Sequence, residues 1–226
     1  MAPKFRSKKE IIYDTLCADI VRGHYEPGTR LVIDDIAKQM GVSPIPIREA
    51  IQQLEADGFV TFEPYVGAAT TEMDATFLFE VFALLESVEV ISSRIATAHM
   101  DEAALATLSQ MLAAMDALVD APEQWSEQNK AFHLTICDIA GTQLVAKMMR
   151  KTFAHWDRLR NHYLQGITHT RIAEAQAQHH KLLAAFRAGD VDQVEQVIRD
   201  HNQTALAYYI QHLKEKGHLT IESDGT

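Results

Sequence analysis

From Asp74 to Glu215 the chain contains three glycines, Gly141, Gly166 and Gly189, and one proline, Pro122. Glycine and proline are the residues that stop helices, so a stretch this poor in them is committed to helix over most of its length. The apolar spacing marks out six helices at roughly 74–98, 101–119, 123–139, 142–164, 168–188 and 191–214, with no strand pattern between them. Short connections make consecutive helices antiparallel neighbours. The expected architecture is an antiparallel all-α bundle, which places ligand and metal sites between its facing helices.

The preceding residues are punctuated differently. Gly23, Pro27, Gly28, Gly41, Pro44, Pro46, Gly58, Pro64 and Gly67 cut them into short pieces. A first helix runs from Lys8 to Arg22, with Ile11, Ile12, Leu16, Ile20 and Val21 as its apolar stripe. A second, "DDIAKQM", opens with acids that suit the positive end of the helix dipole and stops at Gly41. The third begins at Ser43 as N-cap with Pro44 in the first helical position. Pro46 has no N–H to offer, so Ser43 is expected to cap the amide of Ile45. Ile47, Ala50, Ile51 and Leu54 face inward and Gly58 closes the helix. "FVTFE" and "GAATTEM" then read as two short strands around Pro64, Tyr65 and Val66, with Gly67 near the turn. Helix, helix, short turn, helix and hairpin make a winged helix-turn-helix. The chain as a whole is expected to be mainly α: a winged helix-turn-helix at 8–72, with the helix-turn-helix at about 34–55, a six-helix bundle at 74–215 and a tail at 216–226.

Composition narrows what such a chain can do. It carries 21 Lys and Arg against 31 Asp and Glu, a formal charge of −10, so its average surface repels a polyanion and any nucleic-acid binding must be local. Lys4, Arg6, Lys8 and Lys9 form a basic arm at the start, either a solvated terminus or a phosphate-contacting one. Cys17 and Cys137 lie far apart in apolar helical patterns, which suits reduced core thiols. No apolar run of about 18 residues exists to span a bilayer, and no apolar segment follows the basic start, so a cytoplasmic location and no membrane partner are expected.

In a helix-turn-helix the first residues of the second helix enter the major groove, which puts "SPIPIRE" at the base edges. Arg48 can fork onto guanine or clamp a phosphate, Ser43 and the helix N-terminal amides can bind phosphate, and Gly67 lets the wing backbone approach the minor groove. Arg30, Pro44, Ile45 and Gln52 complete the candidate DNA contacts. The alternative is a winged helix used for protein contacts, with Arg48 paired to Glu49 or Glu55. "GHYEPGTRL", "DDIAKQMGVSPIPIREAIQQLEADGFV" and the glycine of "YVGA" resemble the DNA-binding domain of GntR-type transcription regulators over nearly all of residues 8–72. That family usually has a basic residue and then Thr or Ser after the serine, where this chain has Pro44 and Ile45. The resemblance therefore implies a different operator preference, relying on Arg48, on apolar contact from Ile45 to a thymine methyl and on DNA shape.

Among eleven histidines, three stand out by position. Asn129 and His133, four apart, share one helical face. His179 precedes Gly189 by ten residues and His201 follows it by twelve, so a helical hairpin turning at "RAGD" brings the two rings to one level, about 15–18 Å from the turn at 1.5 Å per residue. Such residues are either hydrogen-bonded core histidines or the ligands of zinc, nickel or a similar ion. "NKAFH" and "HHKLLAAFRAGDVDQVEQVIRDH" are similar to the FCD ligand-binding domain of the FadR branch of GntR regulators. The resemblance implies that His133, His179 and His201 are metal ligands and that Asn129 stands where the family usually has aspartate, a weaker and neutral donor. It also places Phe82 where the family often has an arginine near the effector carboxylate.

The function these observations imply is a homodimeric, metabolite-responsive transcription regulator, more often a repressor. It would bind a double-stranded operator through its N-terminal domain, and an organic acid or related metabolite in the bundle cavity around the metal. The alternatives are a helical metalloenzyme using the three histidines, or a sensor of the ion itself. Against an enzyme, no E-x-x-H or H-E-x-x-H run sets a carboxylate beside these histidines as general base.

Overall fold

The structure, a computed structural model, describes residues 7–63, 65, 67–164 and 168–216. Lys4 and Arg6 of the basic arm, Pro64 and Val66 of the hairpin and the tail beyond Lys216 lie outside the described residues. Two compact units divide the chain, one of residues 1–73 with 157–162 and one of residues 74–156 with 163–226.

In the first unit α1 (Lys8–Val21), α2 (Ile33–Met40) and α3 (Pro44–Ala56) precede a hairpin of β1 (Val60–Glu63) and β2 (Gly67–Thr70). Helix α1 starts on a capping box in which the Ser7 hydroxyl accepts from Glu10 N–H at 3.2 Å and Glu10 Oε2 accepts from Ser7 N–H at 2.7 Å. Its buried face is Ile12, Leu16 and Ile20. Ile11, expected in that stripe, is 50% exposed, because it lies one residue round the helix from Ile12, and Val21 is half-buried at the end of the helix. Between α2 and α3, Gly41 turns the chain at φ 64°, a left-handed conformation that a side chain would strain.

Helix α3 is the centre of this unit, packed by α1, α2 and β1. Ile47, Ala50, Ile51 and Leu54 are each fully buried. Ser43 occupies the N-cap position with extended dihedrals, yet its side chain makes no capping hydrogen bond. The expected cap on Ile45 is absent; prolines at 44 and 46 already set the entry angle, and Pro46 removes one of the two amides a cap normally serves. In the hairpin Val60 lies opposite Thr70 and Glu63 opposite Gly67. The stretch before α2 backs this wing: Leu31 N–H donates to Ala68 O at 2.8 Å, Gly28 N–H to Thr70 O at 2.9 Å, and Arg30 bridges Ala69.

The second unit contains α4 (Ala75–Thr97), α5 (Glu102–Asp116), α6 (Pro122–Ile139), most of α7 (Gln143–Tyr163), α8 (Thr168–Ala188) and α9 (Val191–Glu215). No described helix is long and apolar enough to cross a membrane. Asp74, Asp101 and Asp190 each cap the helix they precede, accepting from the amide three residues on. The core gathers Leu108 and Leu112 from α5, Phe132 and Ile136 from α6, Leu182 and Phe186 from α8, and Val194 and Ile198 from α9. Helix α4 lies along α9, where Arg199 pairs with Glu86 at 2.5 Å and Arg94 with Glu195 at 2.5 Å. Both thiols are free, and burial pushes that of Cys17 up to about 11.

One side-chain bond ties α1 to the end of α3: Tyr13 Oη donates to Asp57 Oδ2 at 2.7 Å, an oxygen that also accepts from Gln53 Nε2 at 3.2 Å. Burial first and this hydrogen bond second raise the phenol above its ordinary value, so it stays a neutral donor. Tyr13→Phe should therefore cost about 1–3 kcal/mol in urea denaturation, the usual worth of a hydrogen bond to a charged acceptor.

Candidate metal centre and nucleic-acid interface

The inner face of α3 is buried, and its outer face carries the candidate DNA contacts. Ser43, Pro44, Ile45, Arg48 and Gln52 are all exposed, Ile45 at 67%. Ile45, Arg48 and Gln52 are three and four residues apart and so form one stripe. Among the described residues Arg48 makes no hydrogen bond or ion pair, and neither Glu49 nor Glu55 holds it. Arg30, also exposed, is brought to the wing by its bridge to Ala69, while Gly67 opens β2 at φ 95° and is half-buried. An apolar exposed side chain, a free guanidinium and an amide on one stripe are a surface that can contact base edges.

In the bundle, three histidines from three helices converge. His133 comes from α6, His179 from α8 and His201 from α9, and the ring centroids of His179 and His201 lie 4.9 Å apart. That approach depends on the turn between the helices, where Gly189 takes φ 67° to end α8 and Asp190 caps α9. His133 lies 5.2 Å from His179 and 5.6 Å from His201. One ring nitrogen from each of the three falls within 4.8 Å of the others.

The hydrogen bonding around the rings is uneven in an informative way. His179 is 1% exposed, and neither of its nitrogens has a hydrogen-bond partner. It is stacked on Trp125 at 5.9 Å and tilted against Phe132 at 5.2 Å, apolar walls that give it nothing to bond. His133 Nδ1 stands 3.1 Å from Glu89 Oε1, which fixes it as the protonated nitrogen, and its buried Nε2 is without a partner. His201 Nδ1 lies 2.9 Å from Gln178 Oε1, an oxygen that also accepts from Arg171 Nη2 at 3.2 Å. The lone pair of His201 is thereby assigned to Nε2.

Burial, then the neighbouring rings of His201 and His133, hold His179 well below its ordinary pKa; burial, then His133 and Arg171, do the same to His201. Both rings are neutral near pH 7, the state that ligates. One turn before His133, Asn129 Oδ1 is buried and has no partner among the described residues. Three imidazoles, each with a ring nitrogen that no protein group bonds, and an unmet amide oxygen fit a divalent cation; a core histidine would have found a hydrogen bond.

Two family comparisons coincide with the two units. The gntR family of bacterial regulatory proteins matches residues 8–69, and the FCD domain matches residues 80–204. The chain belongs to the GntR family, with an FCD domain. It is 26% identical over 202 residues to the HTH-type transcriptional repressor GlaR of Escherichia coli K12, covering 86% of this chain and 92% of that one. It is 25% identical over 187 residues to the Nta operon transcriptional regulator of Aminobacter aminovorans, covering 78% of this chain and 89% of that one. The solved structure of E. coli McbR/YncC superposes with a TM-score of 0.73 at 22% identity, covering 92% of this chain and all of that one. This GntR chain is thus a transcription regulator and not an enzyme.

Several residues of this FCD domain escape sequence reasoning. Glu89 could have been found: it is a charged residue on the apolar face of α4, one turn from Leu85, and is 4% exposed. Burial pushes its carboxyl up, while His133 and Asn202 pull it back down. Gln178 and Asn202 carry no such signal, since polar residues on long helices are ordinary. Phe82, where the resemblance implied an arginine elsewhere in the family, packs on Trp156 at 5.2 Å and Tyr209 at 6.0 Å. A cavity of about 460 Å³ opens at the α6–α7 turn, lined by Cys137, Asp138, Thr142, Lys147 and Arg150 among others, and none of the three histidines lines it.

An unsatisfied buried imidazole destabilises the ion-free fold. His179→Leu should raise its stability by about 1–3 kcal/mol, measured by urea denaturation in excess chelator.

Proposed function

We propose that this GntR regulator is a cytoplasmic homodimeric repressor whose FCD domain holds a divalent ion and answers to a small organic acid or related metabolite. The observation that carries the metal part is His179, buried with neither nitrogen bonded and with two further histidines within reach. His133, His179 and His201 would hold the ion through neutral ring nitrogens, and Asn129 through its amide oxygen. Zinc and nickel are the ions such a nitrogen-rich set suits best. When bound, the ion supplies a Lewis-acidic contact for an oxygen-bearing effector.

In the N-terminal domain Arg48 would read guanine or phosphate, Ile45 a thymine methyl and Gln52 a neighbouring base, with Ser43, Pro44 and the amides at the start of α3 set against the backbone. Arg30 and Gly67 would bring the wing to the duplex. A two-fold dimer suits a pseudo-palindromic operator. Release of DNA then requires that the effector bind the DNA-incompetent arrangement more tightly than the competent one. The likeness to GlaR, a transcriptional repressor, supports the sign of the regulation.

Arg48→Ala should weaken operator binding about 10–100-fold in a mobility-shift titration, as the loss of one bidentate contact does; equal binding by both proteins would remove Arg48 from the interface. For the metal, Asn129→Asp should tighten binding. If Asn129→Ala leaves metal affinity unchanged, the amide is not a ligand.

A further inference from the structure

A divalent ion among three imidazoles and an amide would bring two positive charges into a buried site with no anionic ligand. Charge buried without compensation is costly, and the nearby Arg171 guanidinium, bonded to Gln178 and to His201 O at 3.1 Å, already takes the exposed Glu174 carboxylate at 3.4 Å as its own partner. Glu89 touches the cluster from α4, a helix that contributes none of the three histidines.

Each of its carboxylate oxygens has a donor. Oε1 faces His133 Nδ1 at 3.1 Å, and Oε2 accepts from Asn202 Nδ2 at 2.6 Å. Asn202 is itself anchored by donating to Ile198 O at 3.1 Å, and it follows the candidate ligand His201 on α9. Glu89 is thus clamped against the ring whose other nitrogen is unmet. We propose that Glu89 supplies, through His133, the negative charge that Asn129 cannot, and is the positioning residue that lets a neutral ligand set hold a divalent ion. This rests on the reading of the histidines as a metal site.

A carboxylate accepting from the remote N–H of a ligating imidazole fixes its tautomer and makes it a better donor. The competing explanation is that Glu89 only ties α4 to α6 and α9. That role concerns the fold and predicts nothing about metal affinity.

Cobalt(II) is the probe, titrated into the full-length protein against a chromophoric chelator, with its visible absorption as the second readout. Glu89→Gln keeps an acceptor for His133 but removes the charge. It should weaken cobalt binding about 10–100-fold and alter the cobalt spectrum; the amide it sets against Asn202 Nδ2 lowers the melting temperature of the ion-free protein, which is measured alongside. Adding Asn129→Asp to Glu89→Gln should restore most of the lost affinity.

Wild-type affinity in Glu89→Gln, or no recovery in the double variant, overturns the proposal. A lower melting temperature with unchanged affinity overturns it in favour of the structural tie. If the wild-type protein binds no cobalt, the metal reading itself fails, a result distinct from the others. Should Glu89→Gln not fold, Glu89→Asp retains the charge at shorter reach. It should bind cobalt more weakly than wild type and recover with Asn129→Asp; wild-type affinity there overturns the proposal equally.

Discussion

A neutral imidazole sealed in a protein core with neither nitrogen bonded costs about 1–3 kcal/mol, and His179 is in that position. Everything near it sharpens the deficit. Trp125 and Phe132 exclude water from its faces, Glu89 and Gln178 orient the neighbouring rings, and the turn at Gly189 and Asp190 sets α8 and α9 at the level where those rings meet. A core selected for stability alone would place leucine there. Partners such as Glu89 and Gln178, which fix the tautomers of two rings, leave over lone pairs that a bound cation would use.

The two units meet different physical demands. In the first, α3 buries one face completely so that the opposite face can be spent on an exposed isoleucine, an unpaired arginine and a glutamine. An exposed Ile45 gains little for folding, and beside Arg48 and Gln52 it adds apolar surface to the stripe proposed to face DNA. In the second, polar groups lie inside the bundle instead of outside. Glu89, Asn202, Arg171 and Gln176 are all buried and bonded, Gln176 to Trp125, Leu112 O and Asp116. Such a network rigidifies a core while leaving a few lone pairs over.

Helix positions were legible because their signals are local. Gly41, Gly58 and Gly189 end helices, Asp74, Asp101 and Asp190 start them, and periodicity supplies the faces between. The meeting of His179 with His201 was also legible, since a helical hairpin is nearly one-dimensional and distance from the turn can be counted. The failures lie where several weak local preferences compete or where partners are distant in sequence. Ser43 sits in the cap position, but with proline on both sides of Ile45 it makes no cap. Ile11 and Ile12 cannot both face inward, and periodicity alone did not say which would. Glu89, Gln178 and Asn202 act across helices, and no spacing rule reaches from residue 89 to residue 133.

Counting metal decides most directly whether the convergence of lone pairs is a centre or an accident of packing. The full-length protein, dialysed against excess zinc or nickel, then freed of unbound ion by gel filtration, should retain about one divalent ion per chain by elemental analysis. His179→Ala under the same treatment should retain far less. A wild-type protein that emerges without metal, or a His179→Ala variant that keeps as much as wild type, would contradict the assignment of these histidines as ligands.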